Sequence, residues 1–214
     1  MNKKQIIKRT KEYIKKKFLG ESTGHDWWHM YRVWKTAKYI AKKEGADMFV
    51  VELAALLHDL DDWKITNSEE PEQAIKWMKK LSLDKKTIEH VREIIKNISY
   101  KGAKVRTPMR TKEGKIVQDA DRLDGIGAIG IARTFAYGGR NKREIHNPET
   151  KPKKHKTFKQ YKTSKSTSLN HFYEKLLLLK DRMNTETAKK IAEGRHEFLK
   201  LFLDEFLTEW EGKA

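Results

Sequence analysis

The chain has 214 residues, 37% hydrophobic and 36% charged, enough apolar side chains for one core beneath a heavily charged surface. It contains no cysteine, which excludes a disulfide framework, a thiolate zinc site and a cysteine nucleophile together. The formal net charge of +17 favours polyanionic partners, whether nucleic acid, anionic membrane or phosphorylated small molecules, although lysine decoration of the surface alone explains much of the excess.

In chain order, the basic N-terminal stretch has its apolar residues Ile6, Ile7, Tyr13, Ile14 and Phe18 interrupted every few positions. That pattern fits a first helix and lacks the unbroken apolar region of a secretory signal. A second helix is expected from about Trp27 to Glu44, stopping at Gly45. A third, about Met48 to His58, is apolar nearly all round, the mark of a central buried helix. Ser68 reads as the N-cap of a fourth, with Pro71 in its first turn. Asp84 caps a fifth helix running through Ile98, and residues 102–114 read as a loop. A sixth helix is expected from about Lys115 to Tyr137, then two more over about Thr167–Arg182 and Thr185–Trp210.

No stretch alternates apolar and polar residues over several positions, so strands should be scarce and the fold class all-α. The expectation is a single domain over residues 1–214, with residues 166–214 forming C-terminal helices that pack on the core. The longest apolar runs fall far short of the roughly 20 residues of a membrane span, so a soluble cytoplasmic protein is the default. The segment Gly138–Lys165 stands apart, with ten Lys or Arg against two Glu, a Gly-Gly start, and Pro148 and Pro152 inside. It reads as a long basic loop inserted before the C-terminal helices, either a solvated insertion or a phosphate-attracting lid or nucleic-acid contact.

Three places carry the chemistry. His29 heads the stripe His29, Val33, Ala37, Ile40 of its helix. Alone, such a histidine is more often a satisfied core residue than a ligand. The pair His58-Asp59 ends the most apolar helix and is followed at once by Leu60, Asp61 and Asp62. Three carboxylates thus crowd a helix C-terminus, where the macrodipole disfavours them and a bound cation would resolve the conflict. In Gln118–Asp124, both Asp121 and Asp124 fall on the stripe Val117, Asp121, Asp124, Ala128, Ile131, Phe135. Buried ionised aspartate is costly unless it is paired or coordinating, and Arg122 offers a salt-bridge alternative. Two imidazoles with two carboxylates suit a divalent ion such as Mn, Fe, Ni, Co, Mg or Zn, with positions left for water.

The order His29, His58-Asp59, Asp121, set in His29-Met30-Tyr31-Arg32-Val33 and Ala54-Ala55-Leu56-Leu57-His58-Asp59, resembles the HD superfamily of metal-dependent phosphohydrolases. Gly24-His25-Asp26-Trp27-Trp28-His29, Gln118–Gly130, Arg133–Gly139, His171–Leu176 and the closing Glu209-Trp210 are similar to a subfamily of small bacterial and archaeal HD proteins. Some of its members are nucleotide pyrophosphohydrolases. The resemblance implies a helical HD bundle in which His29, His58, Asp59 and Asp121 hold one divalent metal ion. It also implies that Asp62, three residues beyond Asp59, is the general acid or base, with Asp61 as the neighbour that could exchange roles with it.

The implied reaction is metal-assisted hydrolysis. Candidate phosphate partners are Arg32, Lys64, His25, Lys101 and Arg122, each of which also reads as an ordinary surface or salt-bridging residue. Trp27, Trp28 and Trp34 read as core, although aromatics also stack on bases. Gly125, Gly127 and Gly130 fall inside a helical pattern with no preceding strand, so they read as helix-packing positions and not as a phosphate loop. The expected function is cleavage of a nucleoside triphosphate to monophosphate and pyrophosphate. The alternatives are a nucleoside monophosphate phosphatase, a phosphodiesterase, or a non-catalytic protein that binds nucleotides or nucleic acid.

Overall fold

Short polar side chains start most of the helices. The computed structural model describes residues 1–20, 26–61, 70–164 and 166–213, and among these every regular element is helical. They form two compact units, one of Met1–Tyr100 with Arg106–Asp121, the other of Lys101–Val105 with the chain from Arg122 onward.

In the first unit, Asn2 caps α1 (Lys3–Phe18) in a reciprocal capping box with Gln5. Asp26 caps α2 (Trp27–Glu44), which ends at Gly45 in the left-handed conformation. Asp47 caps α3 (Met48–Leu57). Next, α4 (Glu72–Lys80) begins differently: Pro71 takes the N-cap position and offers no capping side chain, while the expected cap Ser68 lies outside the described residues. Asp84 caps α5 (Lys85–Ile98) as expected, and of α6 (Lys112–Asp124) the residues up to Asp121 belong to this unit.

The centre of this unit is α3, which packs against α1, α2 and α5. Leu53, Ala54, Ala55, Leu56 and Leu57 are all fully buried, and each such leucine contributes about 1.5–3 kcal/mol. At the polar edge, the Trp34 indole N–H donates to Glu52 at 2.8 Å and ties α2 to α3. Trp27 and Trp34 are core residues as expected, but Trp28 is 53% exposed. One residue is 100° of helical rotation, which turns Trp28 away from the face that carries Trp27, Met30 and Trp34.

The expected helix Lys115–Tyr137 is in fact two. A break at Gly125-Ile126 separates α6 from α7 (Gly127–Arg140), with Ile126 extended and Gly127 at φ +75°. A Cβ on Gly130 would stand 2.3 Å from the Gly125 carbonyl oxygen, so the turn closes only over glycine. The apolar spacing runs on through this break, which is why periodicity alone reads one helix.

Within the segment expected to be a loop, Phe158–Thr163 forms the short α8. The expected helix Thr167–Arg182 resolves into α9 (Asn170–Glu174) and two 3-10 turns, Leu176–Leu178 and Lys180–Arg182. The last helix, α10 (Glu186–Trp210), packs on α7. Phe135, Phe172, Phe202 and Phe206 interlock there, with ring centroids 5.6 to 6.3 Å apart. Among the described residues no helix is long and apolar enough to cross a membrane.

Candidate metal centre

His29 occupies the third position of α2, and the Asp26 carboxylate that caps the helix accepts its backbone N–H at 2.7 Å. His58 follows α3 directly and keeps helical dihedrals, so its ring is held by the most buried helix of the unit. The His58 Nδ1 lies 2.9 Å from the Ala55 carbonyl oxygen. A carbonyl only accepts, so Nδ1 carries the proton and Nε2 presents its lone pair.

That Nε2 is 3.2 Å from Nε2 of His29. The Asp59 carboxylate reaches both rings, with Oδ2 3.2 Å from His29 Nε2 and Oδ1 3.4 Å from His58 Nε2. From α6, Asp121 brings Oδ1 to 3.5 Å from the first nitrogen and 3.8 Å from the second. The side chains of His29, His58 and Asp59 are almost wholly buried, whereas that of Asp121 is 29% exposed.

Carboxylates gathered on imidazole lone pairs in a buried place are costly without a positive charge among them. With ligand bonds of about 2.1 Å, neighbouring donors stand about 3.0 Å apart in an octahedron and about 3.4 Å in a tetrahedron. The separations here, from 3.2 to 3.8 Å, are of that size. His29, His58 and Asp59 form a group able to hold a metal ion, and Asp121 stands beside it. Nitrogen and oxygen donors without sulfur fit a hard or borderline divalent cation.

The neighbouring aspartates divide in role. Asp61 is buried, and its two oxygens accept the N–H groups of Gln73 at 3.1 Å and Ala74 at 2.9 Å. It therefore supplies from a distance the cap that Pro71 cannot give α4. Asp62, Lys64 and His25 lie outside the described residues. Arg32 is half-buried on α2, one turn from His29.

Lys101 and Arg122 belong to the second unit. There the Lys101 ammonium sits 5.9 Å from the centre of the Phe158 ring, and the buried Arg122 guanidinium donates to the Arg182 carbonyl. Asp124 pairs with Arg133 at 2.9 Å, a partner that sequence reasoning did not name. Two supporting residues were also missed. Asp26 was detectable as an aspartate directly before a periodic apolar run. Asp61 left no local signal, because its partners lie twelve and thirteen residues further on.

A family model for the HD domain matches residues 27–126, a span that includes all four converging side chains. The Bacillus subtilis protein YpgQ is 37% identical over 211 residues, covering 95% of this chain and 93% of YpgQ. The crystal structure of YpgQ in complex with ADP has a TM-score of 0.75 at 34% identity, over 95% of this chain and 97% of that one. A Lactobacillus plantarum protein of known structure is 34% identical with a TM-score of 0.88, covering 100% of both chains. An HD-superfamily hydrolase from Bacillus thuringiensis is 40% identical with a TM-score of 0.74, over 99% of this chain and 100% of that one. An HD-domain match around this histidine–aspartate cluster, carried by relatives of such identity along nearly the whole length, means that the chain belongs to the HD superfamily of hydrolases.

Proposed function

We propose that this hydrolase is a divalent-metal-dependent phosphohydrolase acting on nucleotides, and that it cleaves a nucleoside triphosphate to the monophosphate and pyrophosphate. The observation that carries the reading is the convergence of the Nε2 atoms of His29 and His58 with the carboxylates of Asp59 and Asp121, at 3.2 to 3.8 Å. The nucleotide class is supported by YpgQ, whose crystal structure holds ADP.

A divalent ion held by His29, His58, Asp59 and Asp121 would supply Lewis-acid chemistry, making a water more acidic and polarising a phosphoryl oxygen. Of these four residues, His29, His58 and Asp59 are buried and Asp121 is the most exposed, so Asp121 is the one nearest to solvent. Asp62, three residues after Asp59, accepts the proton of the attacking water. The water oxygen then bonds to the α-phosphorus while the bond from that phosphorus to the bridging oxygen breaks and pyrophosphate leaves. Arg32, with His25 and Lys64, offsets charge on the phosphate chain.

The test is release of phosphate and pyrophosphate from a nucleotide panel with manganese present, comparing the native chain with Asp59→Ala. Pyrophosphate from triphosphates, abolished in the variant, is the expected result. Orthophosphate from monophosphates alone would replace the triphosphate reading by a phosphatase. No turnover with any divalent metal would end the catalytic reading.

A further inference from the structure

Residues 150–173 contain no aspartate or glutamate, yet within them Lys151, Lys153, Lys154, Lys156, Lys159 and Lys162 fall in twelve positions. So dense a run of like charge repels itself and on composition alone should stay loose. Buried polar groups hold it down instead. The Lys153 N–H donates to Glu174 at 2.9 Å, and the Ser166 hydroxyl donates to the same carboxylate oxygen. The Asn170 amide donates to the Thr150 carbonyl at 2.7 Å, and the Lys104 N–H donates to the His155 carbonyl at 3.1 Å. Glu174, Asn170 and His155 are all buried, so the backbone is anchored while the lysine side chains stand in solvent.

Lys151, Lys153, Lys154, Lys156 and Lys159 make no ion pair among the described residues. Lys104 is exposed beside them, and Lys101 lies over the Phe158 ring. Phe158 and Tyr161 are half-buried three residues apart on α8, with the His155 ring edge-on to Tyr161 at 5.7 Å. Neither nitrogen of that buried imidazole has a hydrogen-bond partner among the described residues.

We propose that this anchored lysine track, residues 151–162 with Lys101 and Lys104, is a docking surface for the phosphodiester backbone of single-stranded nucleic acid. This docking does not depend on the nucleotide hydrolysis argued above. A free nucleotide needs cations that converge on one phosphate group, whereas these are strung along twelve residues, as a polymer requires. Half-buried aromatic rings among the cations fit a single strand, whose bases are open to stacking. A membrane surface fits less well, because no large apolar side chain is exposed between residues 150 and 164 to enter the lipid.

The experiment measures binding of the full chain to a fluorescently labelled single strand of about 20 nucleotides by anisotropy across a potassium chloride series. Each phosphate neutralised contributes about −0.7 to the slope of log affinity against log salt for single strands. The variant carrying Lys151→Gln, Lys153→Gln, Lys154→Gln and Lys156→Gln is expected to bind at least about tenfold more weakly, with the slope shallower by about 2–3. A second variant carries Lys4→Gln, Lys8→Gln, Lys15→Gln and Lys16→Gln on exposed positions of α1 and removes the same charge. It is expected to stay within about twofold of the native chain, since the lysines it removes lie outside the track. Absence of salt-dependent binding by the native chain, or an equal loss in both variants, would overturn the proposal. Far-UV circular dichroism of each variant separates loss of binding from loss of fold.

Discussion

The Nδ1 of His58 donates to the carbonyl of Ala55, three residues earlier on the same helix, at 2.9 Å. The bond fixes the ring with Nε2 aimed at His29 Nε2 and Asp59, so the imidazole is oriented as a ligand before any cation arrives. A cation that binds this prepared cluster in the folded chain only must stabilise the fold. At a hundred times its dissociation constant the gain is about 2.7 kcal/mol, which for a chain of this length raises the melting temperature by about 5–10 °C. Scanning calorimetry with manganese against EDTA measures it. In His58→Ala the shift should nearly vanish, and a shift of native size would remove His58 from the ligand set.

Asp61 and Asp62 are neighbours whose substitutions should separate cleanly. Asp61 caps the first turn of α4 through Gln73 and Ala74, and the Ala74 amide lies in a fully buried residue. Asp61→Ala strands two donors and should cost about 1–3 kcal/mol. Asp61→Asn keeps one acceptor oxygen and should cost less, with turnover largely retained in the fraction that is folded. Asp62→Asn is expected to leave urea unfolding unchanged and lower kcat by about 10²–10⁴. The reverse pattern would exchange the two roles.

What could be read from the chain depended on how locally each feature is determined. The ends of α2 and α5 were legible because Gly45 and Asp84 act within one turn of where they stand. His29, His58, Asp59 and Asp121 stood out because each sets a polar group on an apolar face or at the wrong end of a helix. Asp124 shares the stripe of Asp121, however, and only the family resemblance singled out these four, whose side chains the structure brings together. The break before α7 was hidden, since Gly125 and Gly130 meet backbone to backbone while the apolar spacing continues past them. Asp61 was hidden because its partners come from another helix. The anchoring of residues 150–156 was hidden for the same reason, as Glu174 and Asn170 lie on α9.

Two glycine substitutions should move stability in opposite directions. A methyl group at Gly130 would meet the Gly125 carbonyl oxygen at 2.3 Å. Gly130→Ala must therefore shift the α6–α7 turn, at a cost of about 1–3 kcal/mol. Gly194 lies inside α10 with nothing within 4 Å of the added Cβ. Gly194→Ala reduces unfolded-chain entropy without strain and should stabilise by about 0.4–1 kcal/mol. Urea midpoints of the two variants, with unchanged slopes, would show this split. A neutral Gly130→Ala would mean that the turn relaxes freely.

On α10, burial holds the His196 imidazole below its ordinary value of 6.5, and the Lys180 ammonium lowers it further. The neutral ring is therefore favoured in the folded chain, and one of its nitrogens is buried without a hydrogen-bond partner among the described residues. As the pH falls below 6.5, the unfolded chain takes up this proton first, so the native state loses stability until the pH passes the lowered native value. The contribution is complete above 6.5 and declines beneath it, the direction expected of a histidine buried neutral. His196→Gln cannot titrate, so its stability should fall less between about pH 7 and about pH 5 than that of the native chain. Urea unfolding of both proteins across that range isolates the residue, because the other histidines contribute equally to each. Parallel curves would mean that His196 titrates alike in the folded and unfolded chains.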